Sequence, residues 1–519
     1  MSNNINKKIL ANTKYVEFAQ TLYSNNWEIN EKIFFLDYLN YFQVSNVTTK
    51  FSNNFIEEKL NEISATIDFN LSPTFEKDSI LHVMSESYAI GGHTKLLEIF
   101  IQNIDGIYKK QSLIITNQKL ELSKSLENAI KGKGELTLIP SDLNHIEKAK
   151  ILANTASNYE LIILHIHPND ITSNLAFGNS KFKRPIIFLN HTDHMYWCGV
   201  SIADLTLDLT AEGNYFSKEV RDINNSHIVN IPIIDKELKL TREEARKYLK
   251  IEKNKKIILT IATEYKYGRT REEIFKFANM ADNITKNIEN SEFLLIGPSK
   301  NNPSWNEIYE KSKGRVNPLG LKERHLLEYY ILAADLYIES FPFASYTAFL
   351  DTSLYGIKMM SLNTPIFSLD IIKENNLSAD SIEKLEKKAI DFLKNKNDEE
   401  SYKIDLSRHM KDDWNKNLIE IITNHLPSTG TIHRFKSKDA NTKYLNHILK
   451  VVGTNPVLID YLKKLPTKIQ LKLEDKLLSY KILVNHEQSC KNIFDFKCFR
   501  KKSRDLRYRI KNKIKQIFH

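Results

Sequence analysis

At 519 residues, 41% hydrophobic and 27% charged, the chain is long enough for two or three domains and apolar enough to fold them, which excludes disorder over most of its length. The net charge of +10 sits at one end: residues 491–519 carry eleven Lys/Arg against Asp495 and Asp505, a net of +9, so the first 490 residues are nearly neutral. A nucleic-acid-binding enzyme spreads its cations over a working cleft to meet phosphates, so no nucleic-acid partner is expected. Cys198, Cys490 and Cys498 form an odd set without paired spacing, which gives neither a disulfide framework nor a structural zinc site; a reducing cytoplasm is the simplest compartment. Residues 1–15 are polar and no run of about 18 apolar residues occurs, so neither classical export nor a membrane span is expected.

Residues 1–75 carry apolar groups at helical spacing, at Tyr15, Phe18 and Leu22 and again at Phe34, Leu36, Leu39 and Phe42, and are expected to form a helical N-terminal region. After Pro73, apolar runs of strand length at 80–84, 113–116, 136–139, 161–166, 186–189 and 227–233 alternate with longer amphipathic segments. That alternation predicts parallel βαβ units, a Rossmann-like domain over 76–240. A charged stretch with a helix expected over 241–249 leads into a second series at 257–262, 293–296, 316–319, 336–338 and 358–362, a second Rossmann-like domain over 241–375. The expected fold class is α/β, two Rossmann-like domains facing across a cleft, followed by a helical region over 376–490 and the basic tail over 491–519. Ligands of such sheets bind at the carboxyl ends of the strands, so chemistry is sought in the loops there.

Four loops carry candidates. After the first strand, Gly91, Gly92 and His93 run into a helix; the glycines admit a ligand close to the backbone, the helix start offers N–H groups to an anion, and His93 can take a proton near neutral pH. After 186–189 come His191, Asp193 and His194, which join His165 and His167 from the preceding strand end. That cluster reads either as a metal site or as a hydrogen-bonded cleft wall with a histidine oriented by Asp193. In the second domain, Lys266 and Arg269 lie where strand-end cations can face a diphosphate, and Gly297, Pro298 and Ser299 make a sharp turn. The segment 339–351 is the most specific: Ser345, Tyr346 and Thr347 are expected to open a helix with phosphate-binding N–H groups and hydroxyls, and Asp351 to lie a turn further in.

These residues resemble GT-B glycosyltransferases. The segment 339–362 is similar to the donor-site motif of bacterial and O-GlcNAc-transferase-like enzymes, with Pro342, Thr347, Asp351 and Gly356 at its fixed places; the loop Gly91, Gly92, His93, Thr94 is similar to their glycine-rich first loop. Two departures stand out. Phe343 lies where the retaining pattern has a glutamate eight before Asp351, and Ala348 replaces one of two consecutive threonines, so the stereochemistry leans to inversion.

The resemblance implies transfer of a sugar from a nucleotide-diphosphate donor, a UDP-sugar favoured, to a glycan or lipid-linked glycan acceptor, with no cofactor and no required metal. It places the diphosphate on Lys266, Arg269, Ser345, Tyr346 and Thr347 and the base or ribose near Gly297, Pro298 and residues 317–319. His93 is then the leading general base and His191 with Asp193 the alternative pair. Bacterial surface polysaccharide is the expected role. Two other readings compete: a metal-dependent hydrolase using His165, His167, His191, Asp193 and His194, and a non-catalytic sugar-binding protein on a degenerate transferase fold. In the tail, Phe499, Leu506, Ile510, Ile514, Ile517 and Phe518 share one helical face opposite Arg500, Lys501, Arg504, Arg507, Lys511 and Lys515. Such a helix can lie on an anionic membrane at the inner face of the cell, or pack on the core with a solvated basic face.

Overall fold

The computed structural model describes residues 2–88, 92–234, 240–364, 370–395, 404–452, 457–458, 462, 465–480 and 484–485. Gly91 and the basic tail over 491–519 lie outside the described residues.

Two parallel sheets organise the chain. The first contains β1 (Glu76–Met84), β2 (Lys110–Ile115), β3 (Leu136–Leu138), β4 (Tyr159–His165), β5 (Ile186–Asn190), β6 (Leu205–Asp208) and β7 (Ser226–Ile228), in the order β3-β2-β1-β4-β5-β6-β7. The second contains β8 (Lys256–Ile261), β9 (Ser291–Ile296), β10 (Val316–Gly320), β11 (Leu336–Ile338), β12 (Lys358–Leu362) and β13 (Ser378–Ala379), in the order β10-β9-β8-β11-β12-β13. Their near-continuous Ile/Leu/Val runs are buried because helices cover both faces, as a parallel sheet requires. β13 and the helix Ile382–Lys394, which packs on the helix Arg271–Lys286 and on β12, complete the second sheet domain beyond the boundary expected at residue 375. The expected helix over 241–249 is Arg242–Tyr248, N-capped by Thr241 with a reciprocal bond from Glu244.

The added helices are tied to the first domain. Ile29–Ser45 buries Phe35, Leu36, Tyr38, Leu39 and Phe42, the all-round burial of an internal helix. Asn54–Thr66 inserts Glu57 into a concavity of backbone N–H groups: Oε1 accepts from Gly199 at 3.0 Å and Val200 at 3.1 Å, Oε2 from Ser201 at 2.6 Å and from Asn174 Nδ2 at 3.3 Å. From the other end of the chain, the helix Lys411–His425 returns to the first domain, where Trp414 Nε1 donates to the Asn230 carbonyl at 3.1 Å and the Trp414 ring packs edge-on against Phe100. One apolar cluster spans both sheets, joining Leu96, Phe100 and Ile163 to Leu259, Tyr337 and Phe349. Among the described residues no helix is long and apolar enough to cross a membrane.

Candidate active site

The first wall of the cleft is built on the ends of β1, β4 and β5. His93 lies in the first turn of the helix Gly92–Asn103, and its Nε2–H donates to the His165 carbonyl at the end of β4, 2.8 Å away. A carbonyl only accepts, so Nε2 carries the proton and Nδ1 the lone pair. That Nδ1 is buried and has no hydrogen-bond partner among the described residues. The His93 ring stacks on His191, centroids 4.0 Å apart and 14° from parallel, and lies 5.2 Å from His167, which in turn stacks on Tyr88. Burial, with the nearby His191, His167 and His165, pushes His93 well below the usual imidazole range; burial likewise brings His191 down to about 4. All of these rings are therefore neutral at physiological pH.

The cluster does not converge as a metal site. Among the described residues no three His, Cys, Asp or Glu side chains are placed to hold a metal ion. The expected pairing of His191 with Asp193 is also not the one formed. Asp193 Oδ1 accepts from His194 Nδ1 at 3.0 Å and Oδ2 from the Thr210 hydroxyl at 2.9 Å, whereas His191 Nδ1 lies 3.5 Å from the Leu189 carbonyl. Burial works to raise the Asp193 carboxyl, but the bonds from His194 and Thr210 and the Arg221 charge hold it below its usual value. Arg221 is buried against Trp197 and donates to the Asp193 and Met195 carbonyls at 2.8 and 2.7 Å, which turns this loop so that Asp193 faces inward.

The second wall is built on the ends of β8 and β11. Lys266 stands in the short turn Glu264–Tyr267; its Nζ donates to the Ala344 carbonyl at 3.1 Å and lies 5.1 Å from the Phe343 ring centre. Burial lowers its ammonium to about 8, against the opposing pull of the Glu339 charge. Glu339 is buried at the end of β11, where Oε1 accepts from the Ser340 N–H at 2.6 Å, the Ser340 hydroxyl at 2.9 Å and the Ser345 N–H at 3.0 Å. Its Oε2 is buried without a partner among the described residues.

The next helix is Tyr346–Ser353 with Ser345 at its N-cap, as expected; the Ala348 N–H bonds the Ser345 carbonyl at 2.7 Å, and the Tyr346 and Thr347 N–H groups precede that first bond of the helix. Arg269 is exposed, with its backbone N–H on the Glu273 carboxylate at 3.0 Å. Gly297 adopts φ +116° where an added Cβ would lie 1.8 Å from the Ala262 carbonyl oxygen, so the turns after β8 and β9 meet only because this residue is glycine. Pro298 accepts from the Gly320 N–H at 2.7 Å, and Glu264 ties the two turns through Ser299 and Asn302.

The walls meet. A Cβ on Gly92 would stand 3.7 Å from Thr347 Oγ1, and the His194 ring packs edge-on against Phe343 at 5.1 Å. Lys95, a turn after Gly92, has its ammonium lowered by burial and by the Arg324 charge, against the opposing pull of Glu98, 3.5 Å from its Nζ, and of Asp351. The structure thus brings His93, Gly92, Lys266, Ser345, Tyr346, Thr347 and Asp351 to one place, with Asp193 behind them on His194. Sequence reasoning missed Glu339 and Lys95; the available signal was a carboxylate directly ending an apolar strand, and a lysine two residues beyond the loop histidine.

No protein-family model matches the chain, and no curated protein matches it in sequence. Solved structures do match. Anabaena HepE (Alr3699) in complex with UDP and glucose gives a TM-score of 0.50 at 12% identity, over 66% of this chain and 99% of its own; its complex with UDP gives 0.50 at 11% identity over the same shares. A glycosyltransferase from Rickettsia africae ESF-5 covers 68% of this chain and 100% of its own at 12% identity, with a TM-score of 0.48. The chain has the GT-B fold.

The buried histidines of the first sheet are expected to give a pH signature. Burial lowers His82 to about 4 and His165 well below the usual range. In the unfolded chain these imidazoles take up protons near pH 6.5, so between about 6.5 and 4 the unfolded state binds more protons and acid favours it, by up to about 1.4 kcal/mol per pH unit for each group. The urea midpoint is expected to fall from pH 7 to pH 5 and to fall less in His82→Phe; a midpoint independent of pH in that window would contradict the buried neutral rings.

Proposed function

We propose that the chain is a glycosyltransferase that moves a sugar from a nucleoside diphosphate to an acceptor hydroxyl, with a UDP-sugar as donor. The observation that carries this reading is the opposition of two unlike walls in one GT-B cleft: an imidazole lone pair on His93 that has no partner among the described residues, and Lys266 beside the Tyr346 and Thr347 N–H groups at the start of the helix Tyr346–Ser353. HepE, which shares the fold, binds UDP and glucose, and this supports the choice of donor.

In the proposed reaction the acceptor O–H donates to His93 Nδ1, and its oxygen forms the new bond to the anomeric carbon as the bond to the diphosphate oxygen breaks. The proton ends on His93, and the electron pair of the broken bond on the diphosphate. Lys266 and the first-turn N–H groups meet that charge where it develops, which is the main electrostatic task of the step. The arriving diphosphate also counteracts the burial that depresses His93, because an anion nearby favours the protonated ring. This division of labour gives a metal no part in holding the diphosphate. Inversion follows from a base on the acceptor side and Phe343 in place of a second carboxylate. The proposed setting is bacterial surface polysaccharide or glycan assembly in the cytoplasm, with a glycan or lipid-linked glycan acceptor beside the inner leaflet.

A thermal-shift screen against UDP-, GDP-, CDP- and ADP-sugars tests the reading. A ligand at about 100 times its Kd stabilises the folded state by about 2.7 kcal/mol, so a UDP-sugar is expected to raise Tm and the others to raise it less. No shift with any of them would count against the donor site. Lys266→Met is expected to abolish most of that shift and to lower kcat by about 10²- to 10³-fold, the usual loss for one preorganised charge-stabilising donor; an unchanged kcat would remove Lys266 from the diphosphate site.

A further inference from the structure

A parallel sheet covered on both faces is normally filled with aliphatic side chains. The centre of the first sheet instead carries three polar residues on three adjacent strands: Gln111 on β2, His82 on β1 and His165 on β4, each buried. Polar groups are tolerated there only when hydrogen-bonded, and the direction of these bonds can be read from one end. Gln111 Nε2 lies 3.3 Å from the Ile101 carbonyl, which only accepts, so the amide N–H points there and Oε1 faces His82 Nε2, also at 3.3 Å. His82 Nε2 is therefore protonated and its Nδ1 is the acceptor. His165 Nε2, 3.1 Å from that Nδ1, must donate. Each proton position follows from the one before it.

The last ring of this chain touches the candidate base from two directions. The His165 carbonyl takes the Nε2–H of His93. The His165 ring packs edge-on against Phe100 at 5.5 Å, and Phe100 lies about two turns along the helix whose first turn holds His93. His82 packs on the same Phe100 ring at 5.9 Å. We propose that Gln111, His82 and His165 are positioning residues: their hydrogen-bond chain seats the end of β4 against the helix Gly92–Asn103, so that the His165 carbonyl holds the His93 Nε2–H and leaves Nδ1 to the acceptor hydroxyl. The proposal rests on the reading of His93 as the base.

The full chain labelled with ¹⁵N-histidine, free of ligand, reports the state of each ring nitrogen, with the His93 signals assigned by their loss in His93→Gln. The wild type is expected to show His93 as a single Nε2-protonated tautomer at neutral pH. His165→Phe keeps a ring against Phe100 but cannot donate to His82; it is expected to mix the His93 tautomers and to lower kcat roughly 10- to 10²-fold with the donor KM unchanged, the scale of a small misplacement of a reacting group. His165→Gln, whose amide can reach His82, is expected to restore the single tautomer and most of kcat. A single tautomer and full kcat in His165→Phe would overturn the proposal. If that variant does not fold, Gln111→Leu at the far end gives the same readout, expected to shift the His93 tautomer in the same direction, and an unshifted tautomer there overturns the proposal equally. The tautomer is read without substrate, so it decides the proposal even if no sugar is transferred; a wild-type kcat in His93→Ala would instead remove the base reading while leaving the tautomer result in force.

Discussion

His93→Ala is expected to lower kcat by about 10²- to 10⁴-fold, the span associated with removing a positioned general base, while leaving UDP-sugar binding within a few-fold of wild type. The two effects separate because the residues belong to different domains: the lone pair is on the helix that follows β1, whereas Lys266, Glu339 and the helix Tyr346–Ser353 follow β8 and β11. His93→Gln gives a finer comparison, since it retains a donor for the His165 carbonyl but offers no basic nitrogen. Both variants are expected to lose the same activity, because it is the proton acceptor and not the contact with His165 that the proposed reaction uses. Steady-state kinetics beside calorimetric titration with UDP check this. Equal kcat in wild type and both variants would move the base to His191, which stacks on His93 at 4.0 Å.

The second large effect lies far from the chemistry. Glu57→Ala is expected to cost about 3 to 5 kcal/mol of stability. The carboxylate fills a nest of three consecutive N–H groups, from Gly199, Val200 and Ser201, and takes a fourth bond from Asn174. Alanine leaves those donors buried and unmet, and each orphaned group costs about 1 to 3 kcal/mol. Glu57→Gln keeps an oxygen for part of the nest and is expected to lose less. The nest exists because Gly199 adopts φ +129°, with Phe188 3.1 Å from where a Cβ would stand. Urea unfolding of the three proteins reads the difference; a loss below about 1 kcal/mol in Glu57→Ala would mean that water replaces the carboxylate. The loop so pinned continues from the His194 and Asp193 pair, through Trp197, whose backbone N–H donates to the Phe51 carbonyl. Loosening it is expected to disturb the cleft wall as well as the fold.

Strands buried on both faces announce themselves as apolar runs, and for that reason β1, β4, β5, β8 and β9 are legible in the sequence. β6 is not, because it reads Leu-Thr-Leu-Asp: Thr206 and Asp208 are buried polar groups, and Asp208 is accommodated by bonds from Asn190, Ser217, Asn214 and Ser226 that no local pattern announces. β7 is shorter than the apolar run 227–233, since only Ser226–Ile228 joins the sheet and Ile231 and Ile233 bond instead to His409, from a segment distant in sequence. The helix start at Ser345 was legible because strand, turn and helix follow one another locally. The pairing of Asp193 was not, because it depends on Thr210 and Arg221, brought in by β6 and the helix after it.

In the proposed function one cleft holds the nucleoside diphosphate on the second domain while His93 faces it from the first. A crystal structure of the chain with UDP tests this most directly. The diphosphate is expected within hydrogen-bond distance of Lys266 Nζ and of the Tyr346 and Thr347 N–H groups, with the His93 Nδ1 edge of the ring facing the β-phosphate side of the cleft. UDP bound away from Lys266, or resting on the first domain alone, would contradict it.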